Sequence, residues 1–163
     1  MKNSPIVTFG LCSLLIVCAS LFSGCVINQR VIPAPVGTNI STVFIENNPA
    51  VLMNGLAGEI QSQIAAMGYG AKIYTGERPK EAVHYLQFTA NWRWDMAMYL
   101  TYFHATLFED GRVLGTAEYD ARYGGANPAK FGHTAEKIDP ILRELFQNAH
   151  PCKASAPPTA GNP

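Results

Sequence analysis

The side chains that could carry out catalysis are few and complete no known catalytic set. Residues 42–148, the range that we predict to fold, contain no cysteine and one serine, Ser62, which leaves no hydrolytic triad. Paired carboxylates could hydrolyse a substrate, with Asp95 and Asp120 as the candidates, but surface ion pairs explain the acidic residues more simply. We therefore expect a protein that is not an enzyme, and a weak hydrolase using Asp95 or Asp120 is the second alternative.

Metal and cofactor sites also lack a recognisable pattern. The spacing of the histidines matches no zinc motif; they are His84, His104, His133 and His150. Gly124 and Gly125 belong to no Gly-x-Gly-x-x-Gly motif and precede no Lys-Ser or Lys-Thr pair of a phosphate-binding loop. The sequence therefore predicts no metal and no cofactor.

Cys25 is the side chain with the clearest chemical assignment. An uncharged run of 17 residues, Ile6 to Phe22, precedes it, and Ser23 and Gly24 place small residues directly before the thiol. This order resembles the signal peptide and lipobox of bacterial lipoproteins. The resemblance implies cleavage between Gly24 and Cys25, with diacylglycerol on the thiol and a further acyl chain on the new amine.

The resemblance also implies a location. Three acyl chains would hold the protein firmly, whereas a single myristoyl chain binds only reversibly. Val26 rather than Asp follows Cys25, and the usual enterobacterial sorting rule then implies the outer membrane, with the domain facing the periplasm, rather than retention in the inner membrane. Cys12 and Cys18 would leave with the signal peptide, so Cys152 would remain as an unpaired thiol.

Length and charge limit the remaining classes of protein. The chain has 163 residues, with 12 Lys and Arg against 12 Asp and Glu, so its formal net charge is zero. It offers no basic field to nucleic-acid phosphates, and we exclude nucleic acid as a partner. The 48% of hydrophobic residues predict a packed core, and the length fits one domain.

Composition divides the chain into four segments. Residues 1–24 are the predicted signal peptide, and residues 25–41 are the lipidated N-terminus and a flexible, proline-interrupted tether. Residues 42–148 are the predicted α+β periplasmic domain. Residues 149–163 are predicted to be a disordered tail rich in proline and alanine.

Two apolar stripes predict helices. Asn48 as N-cap and Pro49 at the first helical position would start the first helix. Its stripe consists of Leu52, Leu56, Ile60, Ile64 and Met67. The stripe of the last helix consists of Ile138, Ile141, Leu142, Leu145 and Phe146. Pro140 either starts this helix, capped by Asp139, or kinks a helix that begins near Thr134.

Short β-rich runs predict strands at residues 42–46 and 71–74. Alternating apolar residues predict strands at residues 84–94, 98–109 and 112–121. Asp110 and Gly111 predict a two-residue hairpin turn between the last two strands. The element order is therefore β-α-β-β-β-β-α. It indicates an α+β fold in which two helices pack on one face of a mainly antiparallel sheet of about four or five strands.

Aromatic residues crowd around the connection between two of these strands; they are Trp92, Trp94, Tyr99, Tyr102 and Phe103. Core packing is the first explanation. If some of them are exposed, they would form a platform for a sugar or a protein, with Arg93 and Asp95 as polar guides. The Gly124-Gly125 loop would then be a mobile lip beside it. A membrane-facing aromatic belt is the third hypothesis.

The motifs around this cluster resemble a family of small uncharacterised lipoproteins of Gram-negative bacteria. The shared motifs are Trp92-x-Trp94-Asp95, Tyr119-Asp120, Gly124-Gly125 and Lys130-Phe131. The resemblance extends from Thr42 through the last helix, about two thirds of the chain. It implies the fold and the location and supplies no catalytic residues.

The sequence therefore predicts a non-enzymatic lipoprotein of the outer membrane, a structural or interaction module of the cell envelope. Its expected contacts are the membrane, through the lipid anchor, and an envelope protein or glycan. The first alternative is a module that binds an envelope glycan or lipid through the aromatic cluster, using Trp92, Trp94, Asp95, Tyr99, Tyr102, Gly124 and Gly125.

Overall fold

The computed structural model describes residues 26–152 and shows an α+β fold built on a mainly antiparallel six-stranded sheet. The strands of the sheet are β1 (Asn28–Ile32), β3 (Thr42–Glu46), β4 (Gly70–Tyr74), β5 (His84–Asp95), β6 (Ala97–Glu109) and β7 (Arg112–Asp120). They lie side by side in the order β1-β7-β6-β5-β3-β4. The predicted α+β class is confirmed, and the sheet is larger than the predicted four or five strands.

The remaining elements are two helices, one 3₁₀ turn and a small second sheet. They are α1 (Leu56–Ala66), the 3₁₀ turn Pro128–Lys130, α2 (Thr134–Phe146), β2 (Thr38–Ile40) and β8 (Ala149–Pro151). The strands β2 and β8 pair in parallel with each other. Buried residues of both helices share one hydrophobic core with the inward residues of the large sheet.

The meander of β5, β6 and β7 follows the sequence pattern closely. Inward residues of β5 are buried opposite buried residues of β6; the pairs are Leu86–Leu107, Phe88–Ala105 and Ala90–Phe103. Asp110 has φ 46° and Gly111 has φ 86°, and both positive angles are what a two-residue hairpin turn of this kind requires. The predicted hairpin is confirmed.

The strand β3 departs from the antiparallel pattern because it runs parallel to both β4 and β5. Helix α1 lies between β3 and β4 in the chain, which allows the parallel connection. Val43 and Ile45 pack into the main core, while Phe44 packs on the other side of the sheet with Tyr74 and Tyr85. Both faces of β3 are therefore covered, as is usual for a parallel strand.

The first helix begins later than predicted. Its N-cap is Gly55, with φ 93°, and Leu52 lies before it with 91% of its surface exposed. The Asn48 side chain is engaged elsewhere, because Oδ1 accepts from the Ala50 N–H at 2.9 Å and Nδ2 donates to the Phe88 carbonyl at 2.9 Å. The predicted cap at Asn48 was wrong, since its amide closes a local turn.

The other residues of the two predicted apolar stripes are buried or partly buried, as predicted. Leu56, Ile60 and Ile64 are buried, and Met67 packs partly buried against the core. In α2 all five predicted stripe residues are buried. This helix begins at Thr134 and contains Pro140, so of the two interpretations of Pro140 the structure favours an internal proline over a proline that starts the helix.

The predicted tether and tail contribute strands, which corrects both predictions for the described residues. Each residue of β1 pairs with β7, from Asn28 opposite Asp120 to Ile32 opposite Thr116. The Ala34 N–H then donates to the Leu145 carbonyl at 2.9 Å. An edge strand is held by backbone hydrogen bonds and needs no strong apolar alternation, so its composition resembles that of a linker. Residues 1–25, with the predicted signal peptide, Gly24 and Cys25, and residues 153–163 lie outside the described residues.

Within residues 26–152, no helix combines the length and the apolarity needed to cross a membrane.

Gly115 of β7 marks the closest packing between the sheet edge and α2. A Cβ there would overlap the Ile32 carbonyl oxygen and would lie 2.8 Å from Leu145 Cδ1. We expect Gly115→Ala to lower the free energy of unfolding by about 1–3 kcal/mol because β1 and α2 must both shift. Urea unfolding measures this change.

Gly58→Ala is the matched control, because Gly58 lies in α1 and, apart from the nearby backbone of that helix, no atom lies within 4 Å of its Cβ position. We expect this change to stabilise the protein by about 1 kcal/mol through helix propensity. Equal unfolding curves for the two variants would contradict the packing at Gly115.

Candidate functional site

The candidate site is the end of the β5–β6 hairpin, where the two strands extend beyond their neighbours. The register of β5 and β6 shifts between Asn91 and Trp92, which leaves Thr101 as an extra residue on β6. The Thr101 hydroxyl donates to the Asn91 carbonyl at 2.9 Å. Beyond this bulge Trp92 lies opposite Leu100 and Trp94 lies opposite Met98. We call residues 92–100 the hairpin tip.

The structure separates the five residues of the predicted aromatic cluster into three environments. Phe103 is fully buried in the core. Trp92, Tyr99 and Tyr102 are half-buried. Trp94 is 72% exposed. Core packing is therefore correct for Phe103, whereas Trp94 has the exposure that a contact surface requires.

Trp92 holds the hairpin tip to the helical layer. Its ring packs against the main core, and its Nε1–H donates to the Thr134 hydroxyl at the start of α2, with 3.3 Å between the two atoms. On the same side of the hairpin a cavity of about 220 Å³ opens. Its lining is mostly apolar and consists of Leu52, Met53, Ala90, Asn91, Trp92 and Met98.

A buried cation braces the hairpin tip from the loop that follows β7. Lys130 is 4% exposed, and its Nζ lies 2.5 Å from Asp95 Oδ2 and 2.6 Å from the Gly125 carbonyl oxygen. The same ammonium lies 5.1 Å from the Tyr99 ring centroid and 5.2 Å from that of Phe131. These contacts fix Asp95 in an ion pair and tie the Gly125 backbone to it.

The glycine loop is held by hydrogen bonds rather than left free. The Gly124 N–H donates to the Ala121 carbonyl at 2.9 Å, and the Asn127 N–H donates to the Gly124 carbonyl at 2.8 Å. With the Lys130 bond to Gly125, three contacts fix the loop, which argues against the predicted mobile lip. Lys130 was missed as a site residue because Asp95 lies 35 positions away in the sequence, and no local pattern joins them.

Lys137 adds a second buried cation behind the first. It is 8% exposed, its Nζ donates to the Lys130 carbonyl, and burial lowers the pKa of its ammonium. Its Nζ also lies 5.8 Å from the Tyr119 ring centroid. Through Lys137, helix α2 holds the 3₁₀ turn that carries Lys130, so the position of the brace depends on α2.

Asp120 is engaged in a separate ion pair. Arg122 Nη2 lies 2.6 Å from Asp120 Oδ2, and both Arg122 Nε and the Arg122 backbone N–H donate to Oδ1 at 2.9 Å. These hydrogen bonds lower the pKa of Asp120 despite the opposing effect of burial. Asp95 and Asp120 thus each neutralise a different cation. The structure does not bring them together as the free carboxylate pair that hydrolysis would require.

The outer face near this pair is a stacked polar surface. The Tyr102 hydroxyl donates to Glu118 Oε2 at 3.1 Å, and Arg122 lies over the Tyr102 ring with 4.5 Å to the centroid. Burial, followed by the contact with Glu118, raises the pKa of Tyr102. Because Tyr102 precedes the inward-facing Phe103 on β6, its side chain lies on the opposite face of the sheet and does not join Trp92 at the apolar cavity. Across the described part of the chain, no group of three His, Cys, Asp or Glu side chains could hold a metal ion.

Comparisons with known proteins give a distant structural likeness. No family model and no curated protein matches the chain. A PelC dodecamer from Paraburkholderia phytofirmans has a TM-score of 0.49 and 10% identity, covering 78% of this chain and 100% of that chain. A point variant of the same protein gives a TM-score of 0.47 and 10% identity, with 76% and 96% covered. Neither likeness assigns the chain to a family.

The Asp120–Arg122 pair makes a pH-dependent contribution to stability. Because the folded protein lowers the pKa of Asp120 from its ordinary value of 3.8, this contribution is complete above pH 3.8. It is lost as the pH falls through the folded-state pKa. We expect Asp120→Asn to destabilise the protein at pH 7 by about 1–2 kcal/mol, with the difference from wild type closing below pH 3.8. Urea unfolding at several pH values measures both effects.

Asp139→Asn is the control, because Asp139 and Arg143 form an exposed pair four residues apart on α2. A surface pair of this kind contributes at most about 0.5 kcal/mol. A pH-independent difference at Asp120, or one no larger than that at Asp139, would contradict the assigned ion pair.

Proposed function

We propose that this chain is an outer-membrane-anchored periplasmic lipoprotein whose α+β domain is a non-enzymatic structural or interaction module of the cell envelope. The observation that carries the proposal is the order of the uncharged run, Ser23, Gly24 and Cys25 in the sequence. Val26 after the cysteine supports the outer rather than the inner membrane as the destination.

The start of the fold adds support. Strand β1 begins at Asn28, three residues after Cys25, and Ile27 already packs partly buried against the core. An extended residue spans about 3.3 Å, so the chain from Ile27 back to Cys25 can reach at most roughly 7 Å. A lipid on Cys25 would therefore hold the domain directly at the bilayer, without a flexible tether between them.

The arrangement of charges supports a role in contact rather than catalysis. Asp95 and Asp120 are both neutralised by cations at hydrogen-bond distance. A hydrolase needs one carboxylate free to take up or donate a proton beside the second, and this pair supplies neither. The hairpin tip instead presents apolar side chains to solvent, and surfaces of this kind serve recognition.

The lipid anchor predicts a specific effect of Cys25→Ala. Mass spectrometry of the N-terminal peptide is expected to show acylated Cys25 in the wild type, and density-gradient fractionation to place the protein in the outer membrane. Without the thiol no diacylglycerol can be attached, so the variant should lose the acyl mass and leave the outer-membrane fraction.

Cys152→Ala is the matched control, because Cys152 is an exposed free cysteine of the described domain. It should leave acylation and fractionation unchanged. A Cys25→Ala variant that was still cleaved and still sedimented with the outer membrane would contradict the proposed anchor.

A second candidate function is the binding of a small lipophilic molecule or a glycan. The cavity beside Trp92 and the exposed Trp94 favour it. The cavity volume of about 220 Å³ is below the roughly 300–1,000 Å³ of sites for drug-sized ligands. By itself this cavity would hold part of an acyl chain or one sugar face, and a groove of about 440 Å³ that shares Met53 and Met98 adjoins it.

This second candidate predicts a change in tryptophan emission. The chain contains two tryptophans, and Trp92 and Trp94 both belong to the hairpin tip, so intrinsic fluorescence reports directly on the site. Titration with envelope glycans and short-chain lipids should shift or quench the emission if one of them binds. Emission unchanged across the panel would count against this candidate, and a shift that survives Met98→Asn would place the ligand outside the cavity.

A further inference from the structure

The end of the sheet that carries the hairpin tip concentrates the exposed apolar side chains of the domain. In the described part of the chain, 12 large hydrophobic residues are exposed. Seven of them lie at this end: Val26, Leu52, Met53, Trp94, Met96, Met98 and Tyr123. Their chain positions place them before β1, in the loop after β3, in the hairpin tip and in the loop after β7. Four separate segments thus present exposed apolar side chains at one end of the sheet.

A methionine is unfavourable at position 96 if its side chain contacts only water. It connects β5 to β6, is 86% exposed and has φ 58°, in the left-handed region that non-glycine residues other than Asn and Asp adopt rarely. Neither contact with water nor the left-handed backbone conformation favours methionine at such a position. A requirement for an apolar side chain at the apex of the tip would account for it.

Strand register places the start of the described chain at the same end. Asn28 of β1 lies opposite Asp120, which lies opposite Tyr102, which lies opposite Asn91. From this row the hairpin continues outward for five residues to Met96, about 16 Å at 3.3 Å per residue. The chain before Asn28 leaves the sheet in the same direction, and its three residues back to Cys25 span at most about 10 Å.

We propose that the hairpin tip inserts into the interfacial region of the same membrane leaflet that holds the lipid on Cys25. This inference rests on the proposed lipid anchor. An anchor on Cys25 brings the row of Asn28 within about 10 Å of the bilayer, and the tip projects further than that from the same row. Trp94, Met96 and Met98 are then the side chains of the tip that reach the lipid.

The chemistry of the tip suits a bilayer interface. Tryptophan favours the boundary between headgroups and acyl chains because its ring is apolar and its N–H is polar. The acidic residue of the tip, Asp95, is paired with Lys130, which lowers its electrostatic cost of approaching a low-dielectric phase.

Depth-dependent quenching tests the proposal with the full-length protein purified from membranes. Trp92→Phe leaves Trp94 as the sole tryptophan, and Trp94→Phe leaves Trp92. Each protein is reconstituted into phosphatidylethanolamine and phosphatidylglycerol vesicles, with or without bromine atoms on the acyl chains near the headgroup. We expect brominated lipid to reduce Trp94 emission at least twofold and to quench Trp92 much less, because Trp92 is half-buried against α2.

Two further variants separate the tip from general hydrophobicity. Met96→Asn in the Trp92→Phe protein suits the left-handed turn, so the fold is kept while an apolar group is removed. We expect it to reduce the quenching of Trp94. Val113→Thr removes an exposed apolar side chain at the opposite end of the sheet and should leave the quenching unchanged.

The outcomes distinguish failure of the lipid anchor from failure of tip insertion. Acylated Cys25 together with an unquenched, iodide-accessible Trp94 overturns the insertion of the tip and leaves the anchor intact. A Cys25 without acyl chains in the N-terminal peptide overturns both. Blue-shifted Trp94 emission that is already present in detergent, is unchanged by brominated lipid and accompanies a cross-linked dimer assigns the tip to a second copy and overturns insertion.

Discussion

The register between β5 and β6 is the constraint on which the rest of the structure depends. Both strands extend beyond the strands that flank them. The strand β3 pairs with β5 only as far as Leu86, and β7 ends opposite Tyr102. Past these points the hairpin is a two-stranded ribbon, which is marginally stable in water by itself. The bulge at Thr101 keeps Trp92 and Leu100 on the core side of that ribbon. A register without the extra residue would turn one of the two strands over.

Two contacts from distant segments compensate for the missing neighbours of the ribbon. Thr134 at the start of α2 accepts from Trp92, and Lys130 in the 3₁₀ turn pairs with Asp95. A nearly buried ammonium is costly unless several acceptors surround it, and here a carboxylate, a carbonyl and two aromatic faces do so. The loop after β7 is consequently ordered by the same group that fixes the hairpin.

Local patterns in the sequence predicted the elements that carry their own signal. The alternation of Leu86, Phe88 and Ala90, the Asp110-Gly111 turn and the stripe of α2 each arise within a few residues of chain. The strand β1 has no such signal, because its partner β7 lies far away in the sequence and edge pairing uses the backbone. The parallel placement of β3 and the Lys130–Asp95 pair are also long-range, so periodicity could not reveal them. Asn48 is a residue type common at helix caps, but here its side chain forms its hydrogen bonds within a turn and with the Phe88 carbonyl.

The aromatic cluster shows why one strand face can serve both packing and contact. Trp92 and Trp94 point to the same side of β5, since they are two residues apart. The alternation in the sequence therefore predicts the same burial for both. They differ because the helical layer covers only the first of them. Trp92 still reaches Thr134 on α2. Trp94 lies two residues, about 7 Å, further along the strand, and 72% of its surface is exposed. Exposure at the tip is therefore a consequence of hairpin length. A strand pair that ended at the bulge would have kept the core and lost the apolar surface.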